Sequence, residues 1–321
     1  MKKVIVVKNN SGGRIDKFLK KEVFLNSEIT RGEIIRNIKM GNVLVNNKIV
    51  KPSYILKNSD ELGIRNYELW NLKQKQLAPN KNVEFEIILE DKNIIVINKP
   101  AGLLVHPSDK SEQDTLVNGL LYKFPEIKNV GDPSTSSGQV NLRPGIVHRL
   151  DKDTSGIMIV ARNQKTFEEL KNKFKNRQIQ KTYWAIVCGK LKNKKGIIDK
   201  SIARSADYKK QVIASGKTKT KIRPATTEYK VLKEFAEYSL VEAKPKTGRM
   251  HQIRVHLSSI GNPILGDEKY KLKNTKSEKN ISRHLLHAKK IEFSLNGNDF
   301  KFESELPSDF QKFLDEKGIK S

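Results

Sequence analysis

One segment of the sequence, Gly145–Gly156, concentrates charged, hydroxyl and glycine residues between two predicted apolar strands. It reads Gly-Ile-Val-His-Arg-Leu-Asp-Lys-Asp-Thr-Ser-Gly, and a loop rich in Ser, Gly and Pro leads into it from Gly131. Loops of this kind at strand ends often carry binding or catalytic groups, because the scaffold below them holds the groups in place. The segment is therefore a candidate site. A surface turn closed by Thr-Ser-Gly is the alternative that the pattern leaves open.

Several other kinds of chemistry have no matching pattern. A zinc site on a helix needs histidines four residues apart together with further His, Cys or carboxylate ligands. His251 and His256 are five residues apart, and His284 and His287 are three apart with no acid nearby to complete a site. The sequence also lacks Walker-type, Rossmann-type and Gly-x-Ser-x-Gly motifs. It therefore predicts no metal and no nucleotide cofactor.

The composition points to a polyanionic partner. The 321 residues include 62 Lys and Arg but only 36 Asp and Glu, which gives a net charge of +26. Nucleic acid is the commonest polyanion, although lysines on a solvated surface give the same number without any ligand. The single cysteine excludes an internal disulfide, and no apolar run approaches the roughly 18 residues of a membrane span. We expect a cytoplasmic protein with no membrane association.

Residues 1–65 predict a small helix–hairpin domain. Apolar spacing predicts a helix over 14–19, and a second helix runs from a Thr30 cap to Gly41. A hairpin is predicted over 43–50.

A polar linker over 66–83 and a second domain over 84–321 follow. Its strands and helices do not alternate strictly, so we predict an α+β fold on a mixed or antiparallel sheet. The predicted strands are Phe85–Leu89, Ile94–Ile97, Ile157–Ala161 and Lys181–Val187, and the predicted helices are Gln113–Lys123, one capped by Asn163, His251–Ser259 and Ser308–Glu316.

The N-terminal domain resembles the S4 RNA-binding domain. The resemblance rests on three blocks: Arg14-Ile15-Asp16-x-x-Leu19, Thr30-Arg31, and Ile38-x-x-Gly41-x-Val43-x-Val45-Asn46. In that family the second helix and its adjoining turn lie on RNA, which implies RNA contacts for Arg31, Arg36 and Lys39. One departure is Asn58-Ser59-Asp60, where the family usually has Gly-Asp. A similar domain without RNA contact is the alternative.

The second domain resembles the RluA family of pseudouridine synthases, from about Val83 to the C-terminus. The matching blocks occur in the family's order: Asn98-Lys99-Pro100-x-Gly102-x-x-x-His106, His148-Arg149-Leu150-Asp151-x-x-Thr154-Ser155-Gly156, Lys181-x-Tyr183-x-Ala185, Lys246-Thr247-Gly248-Arg249-x-His251-Gln252-Ile253-Arg254-Val255-His256, and Gly261-x-Pro263-Ile264-x-Gly266-Asp267. The preceding S4-like domain is similar to the arrangement in members that modify large-subunit ribosomal RNA.

The resemblance implies an isomerase that needs no cofactor. Such enzymes cut the bond between uracil nitrogen and ribose, rotate the base and rejoin it through carbon. The catalytic aspartate corresponds to Asp151, which can attack the anomeric carbon or stabilise charge while a proton leaves the neighbouring ribose carbon. Arg254 corresponds to the arginine that keeps this carboxylate ionised and orients it through a bidentate bond. Tyr183 corresponds to a tyrosine that stacks on uracil and can act as a late general base.

Three further residues are assigned to RNA binding through the same resemblance. Arg149 corresponds to the position that fills the stack left by a flipped-out uridine. His148 and Arg249 are predicted to shape the site or bind phosphate, with a purely structural role as the alternative. Hydroxyl–backbone bonds are predicted to hold the loop at Thr154–Gly156.

The implied partner is structured RNA, most directly large-subunit ribosomal RNA. Transfer RNA is the alternative substrate, and a non-catalytic RNA-binding protein of ribosome assembly is the alternative class. We expect a monomer when the protein is free.

Overall fold

The computed structural model describes residues 2–5, 12–25, 29, 31–65, 77–107, 113–132, 143–206, 210–273, 275, 278 and 280–318. These residues form two compact units, one within the chain up to Leu77 and the other comprising most of the chain from Ala78 onward. The predicted α+β class with a mixed sheet is confirmed. The predicted Thr30 cap and residues 66–76 of the predicted linker lie outside the described residues.

The first unit packs two helical segments on a four-stranded antiparallel sheet in the order β1-β4-β2-β3. Its elements are β1 (Lys2–Ile5), α1 (Ile15–Phe18, continued by a π-helical turn over Leu19–Val23), α2 (Arg31–Lys39), β2 (Val43–Val45), β3 (Lys48–Ile49) and β4 (Glu61–Ile64). Ile34 and Ile38 on α2 are fully buried beside Ile15 and Leu19. The apolar spacing in the sequence therefore marks the core face of α2 correctly.

The turn before β4 accommodates the departure from the S4 pattern. Ser59 adopts a left-handed conformation with φ 66°, which is the kind of position that glycine usually occupies. The adjacent Asp60 is buried and accepts hydrogen bonds from Asn46 Nδ2 at 2.8 Å, Tyr54 Oη at 3.2 Å and the Lys57 amide at 2.8 Å. The buried carboxylate holds the turn closed, so serine at this position is compatible with the fold.

A buried carboxylate also joins α1 to α2. The Asp16 side chain is fully buried and accepts bonds from Arg14 Nε at 3.0 Å and from Arg31 Nε and Nη2 at 2.9 and 2.6 Å. Burial alone would raise the pKa of Asp16, but the bonds from Arg14 and Arg31 outweigh it and hold the pKa below its usual value. Arg31, predicted to bind RNA, thus also stabilises this unit.

The second unit is built on a nine-stranded mixed sheet in the order β5-β6-β7-β14-β8-β13-β12-β9, with β15 paired to β14. Its strands are β5 (Glu86–Glu90), β6 (Ile94–Lys99), β7 (Ser155–Ala161), β8 (Gln180–Cys188), β9 (Lys195–Asp199), β12 (Thr226–Glu234), β13 (Tyr238–Pro245), β14 (Leu286–Leu295) and β15 (Asn298–Glu303), and β10 (Ile202–Arg204) pairs separately with β11 (Gln211–Ile213). Its helices are α3 (Leu116–Lys123), α4 (Gln164–Lys175), α5 (Gln252–Ser259) and α6 (Ser308–Glu316), and a 3-10 turn covers Pro125–Asn129.

The pairing of β7 with β14 positions the candidate loop, which is the segment Gly145–Gly156 with Asp151 in it. These two strands are parallel at His287–Ser155 and Ala288–Gly156, whereas the other pairs of this sheet are antiparallel. Gly156 has φ 114°, and a Cβ there would lie 2.4 Å from the Ala288 carbonyl oxygen. Only glycine permits this close approach, which brings the chain just before β7 to the beginning of β14.

Residues 78–83, predicted as part of the linker, pack on α3. Asn118 Nδ2 donates to the Ala78 carbonyl at 2.8 Å, and the Asn80 amide donates to the Asn118 carbonyl at 2.9 Å. Val83 is buried next to Gly119. This stretch therefore lies with the second unit, while the domain boundaries as a whole stay a prediction.

We predict that Asp16→Asn destabilises the first unit by about 1–3 kcal/mol, because it removes the negative charge and one of the two acceptor oxygens that bind two half-exposed arginines. Since the pKa of Asp16 is lowered in the folded protein, its contribution is present above the unfolded pKa and is lost as the pH falls through the folded value. Calorimetry of the unit's thermal transition at pH 7 and at acid pH measures both effects.

The matched control is Glu22→Gln, whose carboxylate pairs with the exposed Lys21. It should leave the transition within about 0.5 kcal/mol. Equal transition temperatures for Asp16→Asn and the parent protein at pH 7 would contradict the role given to Asp16.

Candidate active site

A cavity of about 560 Å³ brings together the three residues predicted to act in catalysis. A cavity of this size is within the range of small-ligand sites. It is lined by the end of the candidate loop, the C-terminal end of α4, the start of β8, and the chain from the end of β13 into α5. Asp151, Tyr183 and Arg254 all contribute to its wall, as do His148, Arg149 and Arg249.

Arg254 on α5 bridges two carboxylates. Its Nη1 donates to Asp151 Oδ2 at 3.0 Å, and its Nε and Nη2 donate to Asp267 Oδ2 and Oδ1 at 2.7 and 2.9 Å. The predicted bidentate bond to Asp151 is therefore wrong, because Asp267 takes the bidentate position and leaves one bond for Asp151. Burial would lower the pKa of Arg254, but the two carboxylates outweigh it and raise the pKa above its ordinary value.

Asp267 lies in the site although the sequence assigned it no role and it only ends one of the matched blocks. It is almost fully buried and also accepts bonds from the backbone amides of Lys269 and Tyr270 at 3.0 and 3.2 Å. Burial acts to raise the pKa of Asp267, but the bonds from Arg254 outweigh it and lower the pKa. An ionised Asp267 thus fixes the plane of the guanidinium that reaches Asp151.

Tyr183 lies on β8, in register with Ala243 of β13 and Ala288 of β14. Its ring is largely buried and forms part of the cavity wall. Burial and then the negative charge of Asp151 raise the pKa of Tyr183. The hydroxyl is therefore protonated near neutral pH, and the ring presents a flat apolar surface to the cavity.

His251 is a second site residue to which the sequence assigned no role. It precedes α5 in a left-handed conformation with φ 55°, and its Nε2 lies 3.8 Å from Asp151 Oδ2. On the other side of the ring, Nδ1 lies 2.8 Å from Tyr270 Oη, which accepts a bond from the Gln211 amide. Burial and the neighbouring Arg254 lower the pKa of His251, against the opposing charge of Asp151. A neutral ring therefore packs beside Asp151.

His148 has contacts that favour the site-shaping role. Its Nε2 accepts the Ile159 amide at 2.9 Å, and its ring stacks on Phe174 with the centroids 4.7 Å apart. Burial, with a smaller effect of Lys181, lowers the pKa of His148 to about 3. A neutral imidazole that accepts a backbone bond ties the chain before Asp151 to β7.

The two predicted RNA-binding arginines of the cavity differ in their surroundings. Arg149 is exposed, and its Nη1 lies 2.7 Å from His106 Nε2. Burial lowers the pKa of His106 to about 4, so its neutral ring can accept this bond. Arg249 is half-buried and donates from Nε to the Pro224 carbonyl at 3.2 Å.

The loop that carries Asp151 is fixed by distant side chains. Thr154 Oγ1 lies 2.8 Å from His284 Nε2, and Ser155 Oγ lies 3.0 Å from His287 Nδ1. The predicted local hydroxyl–backbone bonds are therefore wrong for these two hydroxyls. The fully buried Lys99 adds three bonds from Nζ, to the carbonyls of Pro100, Leu103 and Lys152 at 2.7, 2.8 and 2.9 Å.

The three predicted RNA contacts of the first unit lie on α2. Arg31 begins the helix and is bound to Asp16, whereas Arg36 and Lys39 lie exposed in its last turn. All three residues are exposed, so RNA could reach them. Their RNA-binding role stays a prediction.

Two absences hold for the residues that the structure describes. Among them, no cluster of three or more His, Cys, Asp or Glu side chains has a metal-binding arrangement. None of the described helices combines the length and apolar character needed to span a bilayer.

A family model described as RNA pseudouridylate synthase matches residues 93–259, which is more than half of the chain and includes Asp151, Tyr183 and Arg254. The chain belongs to the RNA pseudouridine synthase family. A second model, the S4 domain, matches residues 13–62. Both predicted resemblances are thereby confirmed, including the RluA-like character of the synthase and its S4 domain.

Relatives of this synthase match it over nearly the whole chain. A Borreliella burgdorferi protein named Ribosomal large subunit pseudouridine synthase D is 39% identical and the match covers 98% of this chain and 92% of that protein. A Pseudomonas aeruginosa protein of the same name is 35% identical, with 88% and 86% covered. The solved structure titled Human RNA Pseudouridylate Synthase Domain Containing 4 is 28% identical with a TM-score of 0.57, and covers 74% of this chain and 94% of its own.

We predict that Arg254→Lys lowers the single-turnover rate constant of pseudouridine formation by about 100-fold or more. An ammonium cannot make the three bonds of the planar guanidinium, so Asp151 loses its alignment. Arg249→Lys is the matched control and should cost less than about tenfold, since a phosphate contact needs charge more than a planar fork. A larger loss for Arg249→Lys would show that the two roles are reversed.

Proposed function

We propose that this synthase converts specific uridines of large-subunit ribosomal RNA to pseudouridine, with Asp151 as the catalytic group. The observation that carries the proposal is the Asp151 carboxylate on the wall of the cavity, bound by one guanidinium N–H at 3.0 Å. The ribosomal substrate is supported by the two relatives named as large-subunit synthases.

Asp151 can act on the flipped-out uridine by either of two routes. As a nucleophile it attacks C1′ and displaces uracil, and the freed base rotates and attacks C1′ through C5 as the aspartate leaves. In the other route the anion stabilises positive charge on the sugar as uracil departs from C1′ and a proton leaves C2′; the base then rotates, C5 bonds to C1′ and C2′ takes up a proton again. Both routes require an ionised, oriented carboxylate, and the bond from Arg254 favours that state.

Tyr183 serves both the uracil ring and the final proton transfer in this scheme. Its ring stacks on the base, and after the new bond forms its oxygen accepts the proton from C5 while its hydroxyl proton passes to N1 of the base. The charge of Asp151 contributes to the raised pKa of Tyr183. Burial and this charge keep the Tyr183 hydroxyl protonated until that proton transfer.

Arg149 inserts into the RNA stack in place of the uridine. Its guanidinium plane suits stacking between bases. In the free protein the same group bonds to His106 at 2.7 Å. Leaving that contact costs roughly 1–3 kcal/mol, which stacking in RNA offsets.

The two family matches support different functions for the two parts of the chain. We propose that residues 1–65 bind RNA through Arg31, Arg36 and Lys39, that residues 66–83 include the connection, and that residues 84–321 catalyse the reaction. The net charge of +26 disfavours self-association, so the free protein is a monomer. A ribosomal RNA substrate places it in the cytoplasm, away from membranes, and the reaction uses no cofactor.

We predict that removal of the gene abolishes specific pseudouridines in large-subunit ribosomal RNA, and that only enzymes with Asp151 restore them. Asp151→Asn keeps the shape of the side chain but is neither a nucleophile nor an anion. Pseudouridine mapping of total RNA from a deletion strain expressing the parent, Asp151→Asn or Asp153→Asn is the measurement.

Asp153 is the matched control because it is the other carboxylate of the same loop, and Asp153→Asn should restore the modification. Restoration by Asp151→Asn would remove Asp151 from the mechanism. Loss of pseudouridine from transfer RNA, with ribosomal RNA unchanged, would show that transfer RNA is the substrate.

We predict that deletion of residues 1–65 leaves a folded core that still catalyses the reaction but binds RNA less tightly and less selectively. Linked binding modules raise each other's effective concentration. Each lost phosphate contact should lower the slope of log K against log salt by about 0.7–0.9, so three contacts lower it by about 2–3. A salt titration of RNA binding compares the two proteins, and equal slopes with equal affinities would show that this domain does not bind RNA.

A further inference from the structure

A group of cations in the active-site cavity has no function in the scheme above, apart from the phosphate contact predicted for Arg249. Among the described residues, Asp151 is the one acidic side chain on the cavity wall, whereas the basic residues there include Lys175, Arg177, Lys181 and Arg249. Elsewhere on the wall, Arg254 is bound to its two carboxylates, and Lys246 pairs with Glu228 at 2.9 Å. Within the described chain, no carboxylate lies within ion-pair distance of the four basic side chains of Lys175, Arg177, Lys181 and Arg249. The cavity thus has surplus positive charge.

Arg177 has an unusual backbone conformation for its side chain. It follows α4 with φ 60°, and the bonds from its own amide to Phe174 O and from the Gln178 amide to Lys173 O close the helix. This pattern places Arg177 at the left-handed position that helix ends usually give to glycine. A bulky residue is disfavoured there, and such local strain is often retained where the side chain has a function.

Arg249 and Lys181 are held next to this position in the same wall. Arg249 donates to the Pro224 carbonyl, adjacent to the exposed Arg223, and burial followed by the charges of Arg223 and Arg177 lowers the pKa of Arg249. Lys181 Nζ lies over the Phe174 ring and 3.8 Å from where a Cβ on Gly248 would be. Burial lowers the pKa of Lys181 to about 8. Like charges are therefore gathered at this wall, and a bound anion would stabilise them.

We propose that Arg177, Lys181 and Arg249 form a subsite for a backbone phosphodiester of the nucleotide next to the target uridine. This rests on the proposed function, in which RNA enters the cavity. A uridine that reaches Asp151 is attached to a phosphodiester on each side, so a phosphate must lie within one nucleotide of the reacting carbon. Arg177 is the decisive member, because its left-handed backbone separates the effect of its charge from any effect on folding.

The test compares Arg177→Gly, Arg177→Lys and the control Lys312→Gln, in which an exposed charge on α6 outside the cavity is removed. Three quantities are measured: the melting temperature, the salt dependence of binding to a large-subunit ribosomal RNA fragment, and the single-turnover rate at saturating RNA. Arg177→Gly should melt at or above the temperature of the parent, because glycine relieves the left-handed strain.

The same variant should bind RNA about tenfold more weakly, with a salt slope lower by about 0.7–0.9, and any loss of its saturated rate should be smaller than its loss of affinity. Arg177→Lys should keep most of the slope, and Lys312→Gln should match the parent. Unchanged affinity and slope in Arg177→Gly would overturn the proposal, as would a fall in melting temperature that accompanies the weaker binding. Binding is measured without turnover, so a parent that binds RNA but forms no pseudouridine would refute the proposed function separately.

Discussion

A single guanidinium shared by two carboxylates is the interaction on which the active site depends. Arg254 uses its bidentate edge on Asp267 and donates one further N–H, from Nη1, to Asp151. Asp267 is fully buried while Asp151 keeps 18% of its side chain exposed. The two acids therefore differ in function. Asp267 holds the arginine in place, whereas Asp151 is aligned by a single bond, faces the cavity and remains available to a substrate.

The scaffold brings the three charges together from distant parts of the chain. The close parallel approach of β7 and β14 at Gly156 and Ala288 sets the end of the Asp151 loop. Buried polar contacts then fix the rest of that loop, with Lys99 bound to the Lys152 carbonyl and His284 to Thr154. These groups lie far apart in sequence, and each satisfies a buried polar atom that would otherwise be costly. Precision at Asp151 thus comes from polar contacts as well as from apolar packing.

Much of the fold could be predicted because its signals are local. Short runs rich in β-branched residues and helical apolar spacing placed the predicted strands and α4 correctly, and Asn163 caps α4 through a bond from the Thr166 amide at 2.9 Å. The helix predicted from His251 begins one residue later, since His251 takes a left-handed conformation. Family motifs supplied Asp151, Tyr183 and Arg254, which the structure brings to one cavity. The hydrogen-bond partners of these side chains could not be predicted in this way. Arg254 and Asp151 are 103 residues apart in sequence, and apolar periodicity carries no information about such a contact.

We infer that Asp267 acts on the reaction through Arg254. A double-mutant cycle on the single-turnover rate constant at saturating RNA, with Asp267→Asn, Arg254→Lys and the double variant, measures this coupling. Because both changes misalign the same bond to Asp151, we expect the double variant to be no more than about threefold slower than the slower single variant, while RNA affinity stays near that of the parent. Losses that multiply in the double variant would contradict the account, since they would show that the two residues act independently.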